Sequence, residues 1–163
     1  MSLSNILDSL ISIPRILLFC FLLLGLQNCL EDENVKRPGP SLEARFFHAI
    51  HDSNLDRVEA CLKEGINIDQ KNSLGNSAII LASDQEDKTL VQFLIGKGAN
   101  VNLRNIAGET AVFRSVFRGN LEILKILIAA GAEHKIKNVE GHSAIDLAED
   151  RGEEKILLYL RKL

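Results

Sequence analysis

The chain has 163 residues, a net charge of −3 and 46% hydrophobic side chains, few of which are aromatic. This length fits one domain with an appendage. The lack of a basic excess excludes an electrostatic surface suited to nucleic acid, and the balance of charged and apolar residues excludes general disorder. The charge is unevenly spread, because residues 1–29 hold only Asp8 and Arg15 as charged residues.

Residues 1–28 contain an apolar run that predicts export. Ile16–Leu26 has no polar side chain, and Arg15 precedes it. A membrane-spanning helix needs about 20 apolar residues, whereas a shorter run after a positive residue matches the core of a signal peptide. The sequence Leu26-Gln27-Asn28-Cys29 then resembles a bacterial lipoprotein signal. In such signals a Leu three residues before a Cys directs acylation of that Cys and cleavage ahead of it.

This resemblance implies a lipid on Cys29 and a place in the cell envelope, on the periplasmic side of a bacterial membrane. Two acyl chains would make the anchoring stable. There are two alternatives. In the first, residues 1–28 are not cleaved and serve as a membrane anchor. In the second, the protein is exported, cleaved and soluble. If Cys29 carries lipid, Cys61 is the remaining thiol of the mature chain, so no intramolecular disulfide is expected.

Residues 29–41 are predicted to be a flexible tether. The segment begins with an acidic run and ends with Pro38-Gly39-Pro40. It shows neither a helical nor a strand period, and two nearby prolines favour an extended chain. Such a tether would hold the following domain away from a membrane surface.

From residue 42 onward the sequence repeats every 33 residues. Three sets of glycine or asparagine share this period: Gly65, Gly98 and Gly131; Gly75, Gly108 and Gly141; and Asn72, Asn105 and Asn138. Apolar positions follow the same period, for example Cys61, Leu94, Leu127 and Leu160. The period predicts repeats at 42–72, 73–105, 106–138 and 139–163, and it predicts that Cys61 is a buried hydrophobe.

The repeats resemble the ankyrin repeat family. Gly75-Asn76-Ser77-Ala78-Ile79 falls where that family has G-x-T-P-L, and Gly98-Ala99-Asn100-Val101-Asn102 falls on its G-A-D-V-N. The resemblance implies an all-α solenoid of about four repeats, each a hairpin followed by two helices. Repeats must stack, because a single helix pair cannot bury its apolar stripe. The Pro and His of the family's T-P-L-H are missing here.

Local signals predict the helix ends. Hydroxyl side chains stand where the first helix of a repeat begins, and a hydroxyl there is expected to accept a hydrogen bond from a free backbone amide. These residues are Ser77, Thr110 and Ser143. In the second repeat Glu86-Asp87-Lys88 replaces the family's Gly-x-Leu between the two helices. We therefore expect that turn to be more polar and less regular than the others.

No motif in the sequence predicts catalysis. The histidines lack the spacing of metal ligands, and Gly96-Lys97-Gly98 lacks the strand and the Lys-Ser/Thr step of a phosphate loop. We predict a non-catalytic protein with no catalytic residue, no cofactor and no metal ion. An enzyme that uses the scattered carboxylates and histidines is an alternative, and it requires a concave pocket with strongly shifted pKa values.

The ankyrin resemblance implies protein recognition through the concave face and the hairpin tips. At the tips the variable residues are Leu74, Asn76, Arg104, Ile106, Glu109, Glu140 and His142. At the ends of the first helices they are His51, Asp52, Asp84, Gln85, Phe117, Arg118, Asp150 and Arg151. Phe117 and Arg118 are the strongest candidates, because an aromatic residue beside an arginine has the composition of a binding hot spot.

The sequence therefore predicts an exported, membrane-tethered, monomeric module that binds a protein partner. The partner itself is not identified by the sequence. The alternative is a regulatory or immunity-type ankyrin protein that inhibits or protects an exported enzyme or toxin.

Overall fold

The computed structural model describes residues 39–163, and the predicted signal sequence, Cys29 and most of the predicted tether lie outside these residues. Within the described range, eight helices follow one another along the chain. They are α1 (Leu42–His51), α2 (Leu55–Lys63), α3 (Ala78–Asp84), α4 (Lys88–Gly96), α5 (Ala111–Phe117), α6 (Leu121–Ala129), α7 (Ala144–Asp150) and α8 (Glu154–Leu160).

The helices form four successive pairs, in which each first helix packs on the second helix of its own pair. The first helices α1, α3, α5 and α7 also contact one another in chain order, and α4 contacts α6. In residues 39–163 the β-type pairing is limited to an isolated bridge between Lys71 and Ser77. The predicted all-α repeat solenoid is confirmed. No helix within this range is long and apolar enough to cross a membrane.

The core is built from equivalent positions of successive repeats. Val58, Val91 and Leu124 are fully buried, as are Leu94 and Leu127 of the next column. The Cys61 side chain is 4% exposed in the same column, so the prediction that it is a buried hydrophobe is confirmed. Burying a leucine side chain stabilises a fold by about 1.5 to 3 kcal/mol, so each column adds to the stack as a whole.

The helix caps follow the prediction at two of the three hydroxyl residues. The Thr110 hydroxyl accepts a hydrogen bond from the Phe113 amide at 3.3 Å. Ser143 forms a capping box, in which its hydroxyl accepts from the Asp146 amide and the Asp146 carboxylate accepts from the Ser143 amide at 2.7 Å. The prediction is wrong for Ser77, whose buried hydroxyl oxygen makes no hydrogen bond among the described residues.

The missing hydrogen bond at Ser77 is explained by the residue three positions after it. The residue that would reciprocate the cap of Ser77 is Ile80, which has no polar side chain. Thr110 also lacks a polar partner at that position, but its branched β-carbon restricts the side-chain rotamer and keeps the hydroxyl near the backbone. An unbranched serine without a reciprocating carboxylate has neither constraint.

The turn between α3 and α4 is as regular as the other turns, so our expectation of irregularity is wrong. Glu86 adopts φ 60°, close to the φ of 71° at Gly119 in the next repeat. The Asp87 amide donates to the Ala82 carbonyl at 3.0 Å, and the Asp87 carboxylate caps α4 by accepting from the Leu90 amide at 2.9 Å. This cap and the packing of the two helices hold a non-glycine residue in a conformation that costs about 1 kcal/mol or more.

Candidate functional site

The ends of the first helices form a continuous strip, because each contacts a residue 34 positions later in the next repeat. Three contacts make up the strip. They join Gln85 Nε2 to the His51 carbonyl oxygen at 3.1 Å, Arg118 Nη2 to Asp84 Oδ2 at 2.9 Å, and the Arg151 guanidinium to the Phe117 ring centroid at 4.7 Å. The structure thus brings six of the predicted first-helix residues together in pairs.

Phe117 lies among three arginines. The guanidinium carbons of Arg114 and Arg151 are each 4.7 Å from its ring centroid, and that of Arg118 is 5.8 Å away. The ring is half-buried, and it does not belong to the apolar core or to the partly buried residues packed on it within the described range. Guanidinium groups bind favourably over aromatic faces at such distances. The ring is therefore shielded by charged side chains that surround it at the surface.

Asp84 fixes two of these arginines. Its carboxylate accepts hydrogen bonds from Arg114 Nε at 2.8 Å and from Arg118 Nε at 3.0 Å. Partial burial pushes the pKa of Asp84 upward, but the hydrogen bonds and charges of Arg118 and Arg114 outweigh this and hold the pKa below its ordinary value. Asp84 is consequently ionised at neutral pH and stabilises both guanidinium groups.

Arg151 differs from its two neighbours. Arg114 pairs with Asp84 and lies 3.5 Å from Glu109, and Arg118 pairs with Asp84. In residues 39–163 no carboxylate oxygen lies within 4.0 Å of the Arg151 guanidinium, which is exposed. Its position over Phe117 therefore leaves its hydrogen-bond donors available to a partner.

The sequence reasoning missed Arg114. A signal for it existed, because the positions one repeat before and one repeat after it are Leu81 and Leu147. A charged residue between two leucines of the same column, whose first-repeat member is His48, indicates that this face of α5 has a polar role. The structure shows that role to be the contact with Asp84 and Phe117.

We call Phe117, Asp84, Arg114, Arg118 and Arg151 together the Phe117 cluster. Two other predicted first-helix residues form none of its contacts. Asp52 is 3.0 Å from His48 Nδ1, and this hydrogen bond is the main cause of its pKa being below the ordinary value. Asp150 is exposed at the end of α7 and has no salt bridge in the described part of the chain. Within residues 39–163 no group of three or more His, Cys, Asp or Glu is placed to hold a metal ion.

The hairpin tips expose apolar side chains in consecutive repeats. Leu74 is 57% exposed, and Ile106 and Val139 are each 70% exposed. The tips are joined through their backbones, since the Ile106 amide donates to the Leu74 carbonyl at 3.3 Å and the Val139 amide donates to the Ala107 carbonyl at 2.9 Å. The apolar side chains therefore stand at fixed spacing.

Three residues predicted to contact a partner at the tips also make hydrogen bonds within a hairpin or to the next one. Asn76 Oδ1 accepts from Asn105 Nδ2 at 3.0 Å, and Glu109 Oε2 accepts from the same amide at 2.9 Å. Arg104 Nη2 donates to the Lys137 carbonyl at 2.8 Å, although its side chain remains at the surface. Asn76 and Glu109 thus have structural roles that the sequence pattern did not reveal.

The last tip carries the two other predicted residues, Glu140 and His142. Both are exposed, and His142 Nδ1 lies 3.9 Å from Glu140 Oε2. Neither side chain makes a hydrogen bond within the described residues, so both are placed where a partner can reach them.

A pocket of about 260 Å³ lies between the tips and first helices of the second and third repeats. Apolar side chains line part of it, from Leu74 and Ile106 at the tips and from Ile80 and Leu81 of α3. The remaining lining residues are Asn76, Asp84, Asn105, Glu109 and Arg114. The pocket is therefore continuous with both the Phe117 cluster, through Asp84 and Arg114, and the exposed tips.

A comparison with protein-family models finds a match to this chain. The model describes ankyrin repeats, in three copies, and matches residues 79–163. No curated protein matches the chain.

Proposed function

The chain belongs to the ankyrin repeat family, and we propose that it is a monomeric, non-catalytic module that binds a partner protein while tethered to a membrane. Ankyrin repeats are generally protein–protein interaction modules. The observation that supports this function most directly is the Phe117 cluster. An aromatic ring outside the core, with the guanidinium carbons of Arg114 and Arg151 each 4.7 Å from its centroid, combines the side-chain types that dominate binding hot spots.

The cluster is suited to binding because its side chains are already ordered. Asp84 holds Arg114 and Arg118 by hydrogen bonds, and the two stacked guanidinium groups hold the Phe117 ring. Ordering a rotamer-rich side chain on binding costs about 0.5 to 1.5 kcal/mol, so a preformed cluster binds with a smaller entropy loss. A partner would bury the exposed part of the ring and accept hydrogen bonds from Arg151.

We also propose that the module is exported and held in the cell envelope by a lipid on Cys29. The support is the sequence alone, namely the apolar run Ile16–Leu26 and the lipoprotein-like Leu26-Gln27-Asn28-Cys29. These residues lie outside the described part of the chain. Incorporation of labelled palmitate and fractionation of cells test the proposal. Cys29→Ala should lose both the label and the membrane association. A Cys29→Ala protein that is unshifted on a gel and still membrane-bound would contradict it.

The binding function is tested by crosslinking the full chain in its native membrane, followed by mass spectrometry of the captured proteins. Phe117→Ala and Arg118→Ala should each reduce capture of the partner strongly, while circular dichroism shows unchanged helical content. Arg161→Ala is the matched control, because Arg161 is an exposed, ion-paired arginine that follows α8 and is bonded to Glu149. Equal capture by the wild type and by both cluster variants would remove the Phe117 cluster as the binding site.

A further inference from the structure

The fourth repeat is joined to its neighbour by different contacts from those that join the other repeats. Lys97 of the second repeat pairs with Glu59 of the first at 2.8 Å, and Lys88 of the second repeat pairs with Glu122 of the third. Within the described residues no ion pair joins the third repeat to the fourth. The fourth repeat is therefore held in place without a contact between opposite charges.

Contacts between cations and aromatic rings take the place of ion pairs at this boundary. The Arg151 guanidinium carbon lies 4.7 Å from the Phe117 ring centroid, and Lys125 Nζ lies 5.7 Å from the Tyr159 ring centroid. Each contact joins a residue of the third repeat to a residue of the fourth. Because Arg151 belongs to the Phe117 cluster, the cluster is complete only when the fourth repeat is docked on the third.

The fourth repeat also buries its apolar residues less completely than the third. Ile145 and Leu157 are partly buried, whereas the equivalent Val112 and Leu124 are 1% and 0% exposed. Hydrophobic stabilisation is roughly proportional to the apolar area removed from water. The fourth repeat therefore gains less free energy from packing than the third.

Helix α8 lacks a cap that the other second helices have. In α2, α4 and α6 a side chain accepts a hydrogen bond from a backbone amide of the first turn, and the residues that do so are Asn54, Asp87 and Asn120. Glu153, which precedes α8, makes no such bond, and α8 has 7 residues where the others have 9. A short helix depends on packing for its stability. Arg161 pairs with Glu149 at 2.6 Å and so ties α8 to α7 within the repeat.

We infer that the fourth repeat opens from the stack as a unit before the other repeats unfold, and that this opening takes the Phe117 cluster apart. Opening withdraws Arg151 and makes the Phe117 ring more accessible to solvent. A partner that binds the complete cluster binds only the docked form, so binding and docking stabilise each other. This last step rests on the proposed function, whereas the opening itself does not.

The first repeat shows that the inference differs from a general loss of order at both ends of the described stack. It is tied to the second repeat by the ion pair of Glu59 with Lys97 and by the hydrogen bond from Gln85 to the His51 carbonyl. Its Val58 is fully buried, unlike the equivalent residue of the fourth repeat. We therefore expect the fourth repeat to open more readily than the first.

Hydrogen exchange of the unmodified full chain in detergent micelles, followed by mass spectrometry, tests the opening directly. Amides of α7 and α8 should exchange about tenfold faster or more than amides of α5 and α6, because local units open with their own free energies. They should also exchange faster than amides of α1 and α2. Equal protection of the first and fourth repeats would overturn the inference.

A fluorescent reporter tests whether the cluster comes apart in the same step. The chain has no Trp, so Phe117→Trp introduces a single fluorophore. In a urea titration its emission should change at a lower urea concentration than the helical signal in circular dichroism. Phe93→Trp is the matched reporter in the second repeat, because Phe93 is also half-buried beside a cation, with Lys97 Nζ 5.3 Å from its ring centroid. Its emission should change together with the helical signal.

A core variant of each repeat shows which repeat controls the reporter. Ile156 of α8 and Ile123 of α6 occupy equivalent positions, and they are 1% and 0% exposed. Ile156→Ala should move the emission change of Phe117→Trp to lower urea by about 1 M or more and leave that of Phe93→Trp nearly unchanged. Ile123→Ala should move both.

The outcomes separate the inference from the proposed function. Emission changes of Phe117→Trp and Phe93→Trp at the same urea concentration would overturn the inference and leave the proposed function standing. In the crosslinking experiment Ile156→Ala should reduce partner capture about as much as Arg151→Ala. Capture unchanged by Ile156→Ala would overturn the link between docking and binding. Early opening of the fourth repeat together with capture that does not require Phe117 would support the opening and reject the Phe117 cluster as the binding site.

Discussion

The third and fourth repeats have the same sequence pattern but different surroundings. Helix α5 of the third repeat contacts both α3 and α7, whereas α7 packs on α5 and α8. Leu124 is fully buried, while its equivalent Leu157 is only partly buried. The position of Gly108 is crowded by the next tip, while no heavy atom of the described chain lies within 4 Å of a Cβ placed at Gly141. The neighbours of a repeat position, and not its residue type alone, decide what it contributes to stability.

The largest expected difference is in the core. Leu124→Ala should lower the free energy of unfolding by about 3 to 5 kcal/mol, because the cavity it leaves is enclosed by both neighbouring repeats. Leu157→Ala should cost clearly less, since its site is open on one side and can be filled by water. Urea unfolding of the full chain, followed by circular dichroism, measures both values.

The exposed Leu158 provides the control for this pair. Leu158→Ala should change the free energy of unfolding by less than about 0.5 kcal/mol, as is usual for surface positions. Equal losses for Leu124→Ala and Leu157→Ala would contradict the idea that burial by neighbouring repeats separates the two sites.

The tip glycines give the second comparison. Gly108 and Gly141 have φ of 75° and 86°, so alanine is strained at both positions. That strain costs about 1 to 2 kcal/mol at each site. A Cβ at Gly108 would also lie 2.9 Å from the Val139 amide nitrogen, which is a backbone atom that is bonded to Ala107 and cannot move freely.

We therefore expect Gly108→Ala to be more destabilising than Gly141→Ala by about 1 kcal/mol or more. Thermal or urea unfolding of the two variants checks the difference, and the Gly141→Ala value serves as the baseline for conformational strain. A Gly141→Ala variant as unstable as Gly108→Ala would show that strain, and not contact with the next tip, is the main cost.

The contrast between repeats also shows which features of the fold and of the candidate site could be predicted from the sequence. The 33-residue period was sufficient to predict the helix pairs, the stacked core and the burial of Cys61, because each depends on apolar residues that recur with the repeat. The Phe117 cluster could be predicted only in part. Phe117 and Arg118 were visible as an unusual pair, but Arg151 reaches the ring through a contact between residues 34 apart. Such contacts depend on the offset between stacked repeats, which no local pattern specifies.

Two carboxylates make the stability of the fold depend on pH, one held by a neighbouring repeat and one held within its own repeat. Asp84 of the second repeat is held by arginines of the third, whereas Asp146 is held mainly by the Ser143 amide of its own cap. Both have a pKa below the ordinary value of 3.8. Each therefore stabilises the folded state fully above that value, and the stabilisation is lost as the pH falls below it.

Asp84→Asn should lower the free energy of unfolding at pH 7 by about 1 kcal/mol, and Asp146→Asn should change it in the same direction. Both losses should shrink as the pH falls below the ordinary Asp value. The effect of Asp84→Asn should also shrink when Arg118 is replaced by alanine, whereas that of Asp146→Asn should not. Unfolding measured from pH 7 down to pH 3 with the two double variants tests this. A loss that is constant over this range would exclude the titration of these carboxylates as its source.

The smallest expected effects are at the helix caps, where the fourth repeat is the better formed. Ser143→Ala removes the hydroxyl half of a capping box, while the backbone amide of residue 143 still donates to Asp146, and should lower the free energy of unfolding by about 1 kcal/mol. Ser77→Ala removes a buried hydroxyl that has no hydrogen-bond partner in the described residues, so it should be neutral or slightly stabilising. Urea unfolding of the two variants beside the wild type measures this difference. A loss for Ser77→Ala equal to that for Ser143→Ala would mean that the Ser77 hydroxyl caps α3 in solution, and that the two helices begin in the same way.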